Sequence, residues 1–328
     1  MASTLLVGCY SNDGNGIYVY SLCESGRFTL QSIFGEHTNP TYLTQSGNRI
    51  YAACEQETGK LAALEIDGYR LRTINTIDIP GAATCHVTVH PANNLLFASN
   101  YVSGNEVTCR LSEDGSIGNI INQINYEEKS NCHCVAIDTD GTGTVSIDLG
   151  CDKVYVRSCE ITDNVPLQQF QLPQDTGPRH FVFHPSGKFG YLITETANSI
   201  IGYNYNAHKL QQIQEIPLLP PDYKDQSYAA AIKISPCGKW LYASNRGFDH
   251  ITLFGIDSQT GQLVQKGYYP TGGHWPRDFG FTPSGDIIIV ANQKDNNLVS
   301  FAVDPQTGAI GEQLDIVTVA NPACVVVL

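Results

Sequence analysis

The sequence predicts an all-β fold made of seven copies of one four-stranded antiparallel unit. Segments that begin at Pro178, Ala229 and Pro276 repeat the same order of strand, turn with Pro and Gly, strand, short loop, strand, turn and strand. Apolar and polar side chains alternate along these strands, and no helical stripe of apolar residues interrupts them. Tandem copies of one small antiparallel sheet are typical of the blades of a β-propeller.

The spacing of the repeats gives the number of blades. The residue predicted to end the second strand of each unit recurs at intervals of 45, 45, 48, 47, 50 and 47 residues. Intervals of roughly 40–50 residues are typical of one propeller blade, so seven recurrences predict seven blades. These residues are Tyr10, Glu55, Asn100, Asp148, Glu195, Asn245 and Asn292.

The two ends of the chain are predicted to build one blade together. The N-terminal segment opens on strands that match the later strands of the unit, with no first strand before them. Residues 321–328 read NPACVVVL and match first strands such as NPTYLTQ at 39–45. If this C-terminal strand is innermost and pairs with the N-terminal strands, the ring closes without a free sheet edge. We therefore expect a single domain over residues 1–328.

Composition narrows the class of protein. Hydrophobic residues make up 42% and charged residues 16% of the 328 residues, which is typical of a globular chain with a large core. The sequence has neither an apolar run of about 18 residues nor a basic N-terminal segment before an apolar one, so we expect a cytoplasmic protein that does not enter a membrane. The net charge of −13 argues against nucleic acid and against an anionic membrane surface as partners.

The cysteines do not predict disulfides or a metal centre. The chain has 11 of them, an odd number, and most lie within apolar strand patterns. Such cysteines behave as small buried hydrophobes in a reducing compartment. Cys132, His133 and Cys134 are adjacent, but neighbouring strand residues point to opposite faces and no second pair lies at zinc spacing. We expect neither a metal nor a cofactor.

Polar residues are predicted to surround one mouth of the central channel. The start of the first strand and the end of the second lie at the same end of an antiparallel blade. Arg179 and Glu195 occupy these two positions in one blade, sixteen residues apart. Each of these residues also has a purely structural explanation. Arg179 and Glu195 could form a plain salt bridge, and His86 and His133 could be hydrogen-bonded interior histidines. Asn and Asp at strand ends could cap turns.

Several motifs together carry a family resemblance that spans essentially the whole chain. They are GPRHFVFHPSGKFGYLITE from Gly177, DLGCDKV from Asp148, SPCGKWLYASNRG from Ser235 and PRDFGFTPSGDIIIVAN from Pro276. With these motifs the sequence resembles the lactonase family of seven-bladed β-propellers, which includes 6-phosphogluconolactonases and carboxymuconate-lactonizing enzymes. A fold alone would not imply a function.

The resemblance implies the residues of an active site. The arginine, glutamate and histidine that the family is thought to use fall on Arg179, Glu195 and His133. The family's His-x-His segment falls on Asn131-Cys132-His133, so Asn131 replaces the first histidine. The implied activity is hydrolysis of a sugar lactone, 6-phosphogluconolactone to 6-phosphogluconate, a step of the pentose phosphate pathway. Substrate contacts are expected from His86, Asn100, Asn131, Asp148, Arg246 and Arg277.

The chemistry of lactone opening assigns roles to these residues. A water must lose a proton, and either Glu195 or His133 would be the base. The guanidinium of Arg179 would bind the substrate's anionic group or stabilise the oxyanion, since it is always charged and presents a fork of donors. Two alternatives stay open. One is a muconate-type cycloisomerase that uses the same arginine as a carboxylate clamp; the other is a non-catalytic propeller that binds a partner on its rim. We expect a monomer or a weak homo-oligomer.

Overall fold

The computed structural model describes residues 3–11, 16–90, 92–160 and 164–328. In this part of the chain, 28 strands form seven antiparallel sheets of four strands each, and no helix is present. The innermost strands of consecutive sheets contact one another in a closed circle. The prediction of a seven-bladed β-propeller is therefore confirmed.

The first blades follow the chain in order from the N-terminus. Blade 1 starts with β1 (Ser3–Cys9), β2 (Ile17–Leu22) and β3 (Phe28–Phe34); blade 2 is β4 (Pro40–Ser46), β5 (Arg49–Cys54), β6 (Gly59–Asp67) and β7 (Arg70–Ile79); blade 3 is β8 (Thr84–Val89), β9 (Leu95–Asn100), β10 (Asn105–Leu111) and β11 (Ile117–Asn125); blade 4 is β12 (Cys132–Ile137), β13 (Gly143–Asp148), β14 (Lys153–Ser158) and β15 (Gln168–Gln171).

The remaining blades repeat the same order, and the last strand returns to the first blade. Blade 5 is β16 (Pro178–Phe183), β17 (Phe189–Thr194), β18 (Ser199–Asn206) and β19 (Lys209–Pro217); blade 6 is β20 (Tyr228–Ile234), β21 (Trp240–Arg246), β22 (His250–Ile256) and β23 (Leu263–Pro270); blade 7 is β24 (Pro276–Phe281), β25 (Ile287–Asn292), β26 (Asn297–Val303) and β27 (Ile310–Thr318); β28 (Pro322–Val327) completes blade 1.

The ring closes as the termini predict. Strand β28 is the innermost strand of blade 1 and pairs antiparallel with β1, with Leu5 opposite Val327 and Val7 opposite Val325. Gly8 lies in this pair where blade 2 comes close: a Cβ there would be 2.4 Å from the carbonyl oxygen of Pro40. A side chain at this position would force the two blades apart.

Glycines occupy the tight turn that connects the innermost strand to the second strand in blades 5, 6 and 7. Gly187, Gly238 and Gly285 have φ of 71°, 74° and 74°, in the left-handed region that L side chains rarely adopt. Each donates its backbone N–H to the carbonyl three residues earlier, at 2.8 to 2.9 Å. The same turn in three blades explains the Pro-x-Gly pattern of the sequence.

The core lies between neighbouring blades. Apolar side chains of one blade pack against those of the next, as in the cluster that joins blades 5 and 6 around Tyr191 and Phe254. Tyr191 is fully buried, and its hydroxyl donates to the carbonyl of Gly261 in the next blade at 2.8 Å. Tyr242 makes the equivalent bond to Gly308, at 2.7 Å. These tyrosines fix the spacing of adjacent blades while their rings fill the core.

Within the described ranges there is no helix long and apolar enough to cross a membrane. The same part of the chain contains no group of three or more His, Cys, Asp or Glu side chains that could hold a metal ion.

Candidate active site

A β-bulge near the start of the innermost strand marks one mouth of the channel in every blade. The innermost and second strands pair regularly except here, where the innermost strand has a residue without a partner. Bulges re-aim a side chain and recur near active sites. The bulged residues are Thr41, Cys85, His133, Arg179, Arg277 and Ala323 in six blades, and Ala230 with Ala231, opposite the unpaired Ser244, in blade 6.

The ends of the second strands form the rest of this mouth. The residues predicted to end these strands do not occupy equivalent positions in all blades. Asn100 and Asp148 pair with the first residue of their innermost strand, whereas in blade 5 that partner is Thr194. Glu195 comes one residue later, and so does Glu55 in blade 2, where the partner is Cys54. Alternate strand residues point to opposite sides. The seven predicted strand ends were therefore not all equivalent.

These two sets of side chains enclose a polar cavity of about 240 Å³, called the mouth cavity here. Three arginines and two glutamates face it, in a chain whose net charge is −13. Pockets for drug-sized ligands run to roughly 300–1,000 Å³, so this cavity suits a smaller polar molecule. Its walls are formed by Tyr10, Glu55, Cys85, Tyr101, His133, Arg179, Glu195, Arg246 and Arg277.

Two guanidinium groups converge on Glu195. The Oε2 atom of this carboxylate lies 2.8 Å from Nη2 of Arg246 and 3.0 Å from Nε of Arg179. Both arginines are almost fully buried, with exposures of 3% for Arg179 and 6% for Arg246. The backbone carbonyls of Ala230 and Ala229 accept further hydrogen bonds from them, at 2.6 and 2.8 Å. Both carbonyls belong to the buried run of three alanines near the start of β20.

The two arginines keep the Glu195 carboxylate ionised. Burial raises the pKa of Glu195, but Arg246 and Arg179 outweigh burial and hold the pKa below its ordinary value. Burial and the neighbouring Arg179 lower the pKa of Arg246 to about 10. At neutral pH the Glu195 carboxylate is therefore an anion between the two cations Arg179 and Arg246. The positive charge in excess is available to an anionic or strongly polarised ligand.

A second carboxylate faces the cavity through a different set of partners. Glu55 accepts hydrogen bonds at Oε2 from the hydroxyl of Tyr10, at 2.6 Å, and from that of Thr41, at 3.0 Å. The Tyr10 hydroxyl in turn accepts a bond from Nη2 of Arg277, at 2.7 Å. Arginine, tyrosine and glutamate thus form a continuous chain that joins blades 7, 1 and 2.

Imidazoles and a tyrosine fill the channel beneath the mouth cavity. The ring of His180 lies 5.1 Å from that of His133 and 5.8 Å from that of His86, and the ring of Tyr42 lies 4.4 Å from that of His86 at a tilt of 37°. Burial, followed by the charge of Arg179, lowers the pKa of His86 to about 3 and the pKa values of His133 and His180 well below the ordinary range. All three imidazoles are neutral at physiological pH.

Five of the nine residues predicted for the site line the mouth cavity together, and four do not. His86 lies in the layer below. Asn100 accepts from the Thr84 hydroxyl and donates to the carbonyl of Pro80. Asp148 accepts the backbone N–H of Asn131 at 2.9 Å. The five that line the cavity are His133, Arg179, Glu195, Arg246 and Arg277.

Asn131 acts on the cavity through a neighbour. Its side-chain amide donates to the backbone carbonyl of Tyr101, at 2.8 Å. Tyr101 lines the mouth cavity and presents its ring edge-on to His133, with 5.8 Å between ring centroids. The residue in place of the family's first histidine thus holds a wall of the cavity.

Four lining residues were missing from the sequence-based site: Tyr10, Glu55, Cys85 and Tyr101. Tyr10 and Glu55 are among the seven strand-end positions of the repeat, so the spacing of the repeat could have identified them as site residues. Cys85 and Tyr101 follow only from the bulge in blade 3 and from the turn after β9, which the repeat pattern does not specify.

Comparison with known proteins gives consistent matches over the full chain. A family model described as "Lactonase, 7-bladed beta-propeller" matches residues 4–327. A 6-phosphogluconolactonase of Bacillus subtilis strain 168 is 32% identical, over 97% of this chain and 96% of the relative. The crystal structure of a putative 6-phosphogluconolactonase from Bacteroides fragilis superposes with a TM-score of 0.91 at 28% identity, over 100% and 98% of the two chains. The periplasmic gluconolactonase of Pseudomonas aeruginosa has a TM-score of 0.93 at 26% identity, over 100% and 99%.

Proposed function

We propose, because the chain belongs to the family of seven-bladed β-propeller lactonases, that it hydrolyses a sugar lactone in the mouth cavity, with 6-phosphogluconolactone as the substrate. The observation that carries this proposal is the convergence of Arg179 and Arg246 on Glu195 beside a small polar cavity. The relatives named as 6-phosphogluconolactonases support the choice of substrate.

Lactone opening places negative charge on the carbonyl oxygen when water attacks. Guanidinium N–H groups fixed in advance stabilise such an oxyanion without reorganisation. Arg179 is held by Glu195 and by the carbonyl of Ala230, so its fork of donors is oriented before the substrate binds. In this proposal Arg179 and Arg246 bind the carbonyl end of the lactone, and Glu195 keeps both guanidinium groups in position.

His133 contacts the reacting water in this proposal. The imidazole is neutral, and its Nδ1 atom has no hydrogen-bond partner among the described residues. A neutral imidazole accepts a hydrogen bond at one nitrogen and donates at the other. Its low pKa makes it a weak proton acceptor, so orienting the water is the role that its chemistry favours.

The phosphate of the substrate would bind at Arg277, the third arginine that lines the cavity. Arg277 is half-buried there and contacts Tyr10 through one of its nitrogens. Arginine binds phosphate through parallel N–H groups, which is the geometry that a guanidinium facing a cavity can supply. A third arginine beside the Arg179–Arg246 pair would then favour a lactone that carries an anionic group.

Initial rates of lactone opening test the proposal. We expect 6-phosphogluconolactone to be opened faster than unphosphorylated gluconolactone after subtraction of spontaneous hydrolysis. Arg179→Ala should lower kcat on the order of a hundred to a thousand fold, as the loss of one oxyanion donor typically does. Arg110→Ala on the exposed surface of β10 is the matched control and should leave the rate unchanged. Absence of turnover with every lactone, or an active Arg179→Ala enzyme, would contradict the proposal.

A further inference from the structure

The mouth cavity contains two carboxylates that occupy the same place in their blades. Glu55 follows β5 and Glu195 follows β17 by one residue, and both line the cavity. Their partners differ in kind. The Oε2 atom of Glu195 lies within 3.0 Å of two guanidinium groups, whereas Glu55 accepts its two hydrogen bonds from neutral hydroxyl groups.

This difference decides which carboxylate can take a proton. Two cations in contact stabilise the ionised form of Glu195 and hold its pKa below the ordinary value, which weakens it as a base. Glu55 forms no ion pair within the described ranges, and its second oxygen, Oε1, has no hydrogen-bond partner there. A carboxylate with one oxygen held by two donors and the other without a partner can hydrogen-bond a water there and accept its proton.

We propose that Glu55 is the general base of the reaction, and Tyr10 and Arg277 hold it in position. This inference rests on the proposed lactonase function and deepens it. Arg277 donates to the Tyr10 hydroxyl at 2.7 Å, and Tyr10 donates to Glu55 at 2.6 Å. Burial raises the pKa of Tyr10, so the hydroxyl stays protonated and remains a donor at neutral pH. A donor that itself accepts a charged hydrogen bond is polarised and binds the carboxylate more firmly.

With Glu55 as the base, every proton of the reaction is accounted for. The water oxygen bonds to the lactone carbonyl carbon while one water proton passes to Oε1 of Glu55, and the carbonyl oxygen becomes an oxyanion held by the guanidinium groups. When the tetrahedral intermediate collapses, the bond from that carbon to the ring oxygen breaks. The ring oxygen keeps the electron pair and takes the proton back from Glu55. The new carboxylic acid then releases its own proton to solvent.

Glu55→Gln tests the assignment with little change in shape. We expect kcat to fall on the order of a hundred to ten thousand fold, which is the usual contribution of general acid and base catalysis, while KM changes only a few fold. Glu57→Gln removes an exposed carboxylate two residues away and should match the wild type. Added formate should restore part of the rate to Glu55→Ala and none to Arg179→Ala, because a small carboxylate can replace the missing base.

Tyr10→Phe tests the positioning chain through a different readout. We expect a lower kcat at unchanged KM, and no further loss when Tyr10→Phe is combined with Glu55→Gln, since the two residues act as one unit.

The outcomes separate this inference from the function on which it rests. A wild-type enzyme that opens the lactone, together with a Glu55→Gln variant of undiminished kcat or a Glu55→Ala variant that formate does not restore, overturns the role of Glu55 and leaves the lactonase function standing. A wild-type protein that opens no lactone overturns both.

Discussion

Acidification should destabilise this protein through its buried imidazoles, and His86 allows the effect to be isolated. The ring of His86 is buried in the channel between Tyr42 and His180, and burial, with Arg179 nearby, lowers its pKa to about 3. In the unfolded chain a histidine titrates near pH 6.5. Between these two values the unfolded state binds a proton that the folded state does not, so stability falls as the pH falls below about 6.5.

The size of the effect follows from the two pKa values. Each pH unit in this interval costs about 1.4 kcal/mol per histidine, so His86 alone should cost about 2 kcal/mol at pH 5. His133 and His180 have pKa values lowered in the same direction and add to the loss, whereas Glu106, whose pKa is raised by burial, opposes it. A total of several kcal/mol would be a large share of the 5–15 kcal/mol that stabilises a typical protein.

Urea unfolding of the wild type and of His86→Gln, at constant ionic strength between pH 7.5 and 5, measures the contribution of this residue. The variant should lose stability less steeply than the wild type, by about 1.4 kcal/mol per pH unit below pH 6.5, because one proton fewer is taken up on unfolding. Val102→Ala replaces an exposed side chain that does not titrate and should keep the wild-type slope. Equal slopes for the wild type and His86→Gln would refute the claim that this imidazole is held neutral in the channel.

Three further changes test the blades, the ring and the phosphate contact. Tyr191→Phe removes the hydroxyl that donates to the carbonyl of Gly261 and should lower the free energy of unfolding in urea by about 1–3 kcal/mol. Tyr223→Phe is the control and should have no effect. Equal losses in the two variants would show that the Tyr191 hydrogen bond does not stabilise the blades. Deletion of residues 321–328 removes the innermost strand of blade 1 and should abolish cooperative unfolding, so a sharp transition in the truncated chain would contradict closure by β28. Arg277→Met should lower kcat/KM for 6-phosphogluconolactone relative to gluconolactone at least tenfold, and an unchanged ratio would exclude a phosphate contact there.

The blades could be predicted because their signals are local. A strand that alternates apolar and polar residues, and a turn that needs glycine in the left-handed region, are each specified within a few residues. Gly187, Gly238 and Gly285 therefore revealed the repeat, and the match between the C-terminal segment and the first strands revealed how the ring closes.

The direction in which each strand-end side chain points could not be predicted in the same way, because a β-bulge depends on how two strands pair. A slip of one residue changes which side chains reach the channel, and it leaves no mark in the sequence of either strand. Asn100 and Glu195 looked equivalent in the repeat, yet Asn100 bonds the backbone of Pro80 while Glu195 faces the cavity. The repeat places Glu55 at a strand end, but its contacts with Tyr10 and Thr41 depend on the neighbouring blade and on the bulge in blade 2.

A crystal structure with bound 6-phosphogluconate, the product of the proposed reaction, tests the central claim most directly. We expect its carboxylate beside Arg179 and Arg246 and its phosphate beside Arg277, inside the mouth cavity. The larger, more open depression on blade 2, lined in part by Glu57, Lys60 and Asp78, should remain unoccupied. Product bound in that depression, or a mouth cavity that excludes it at saturating concentration, would contradict the placement of the active site at the bulged mouth.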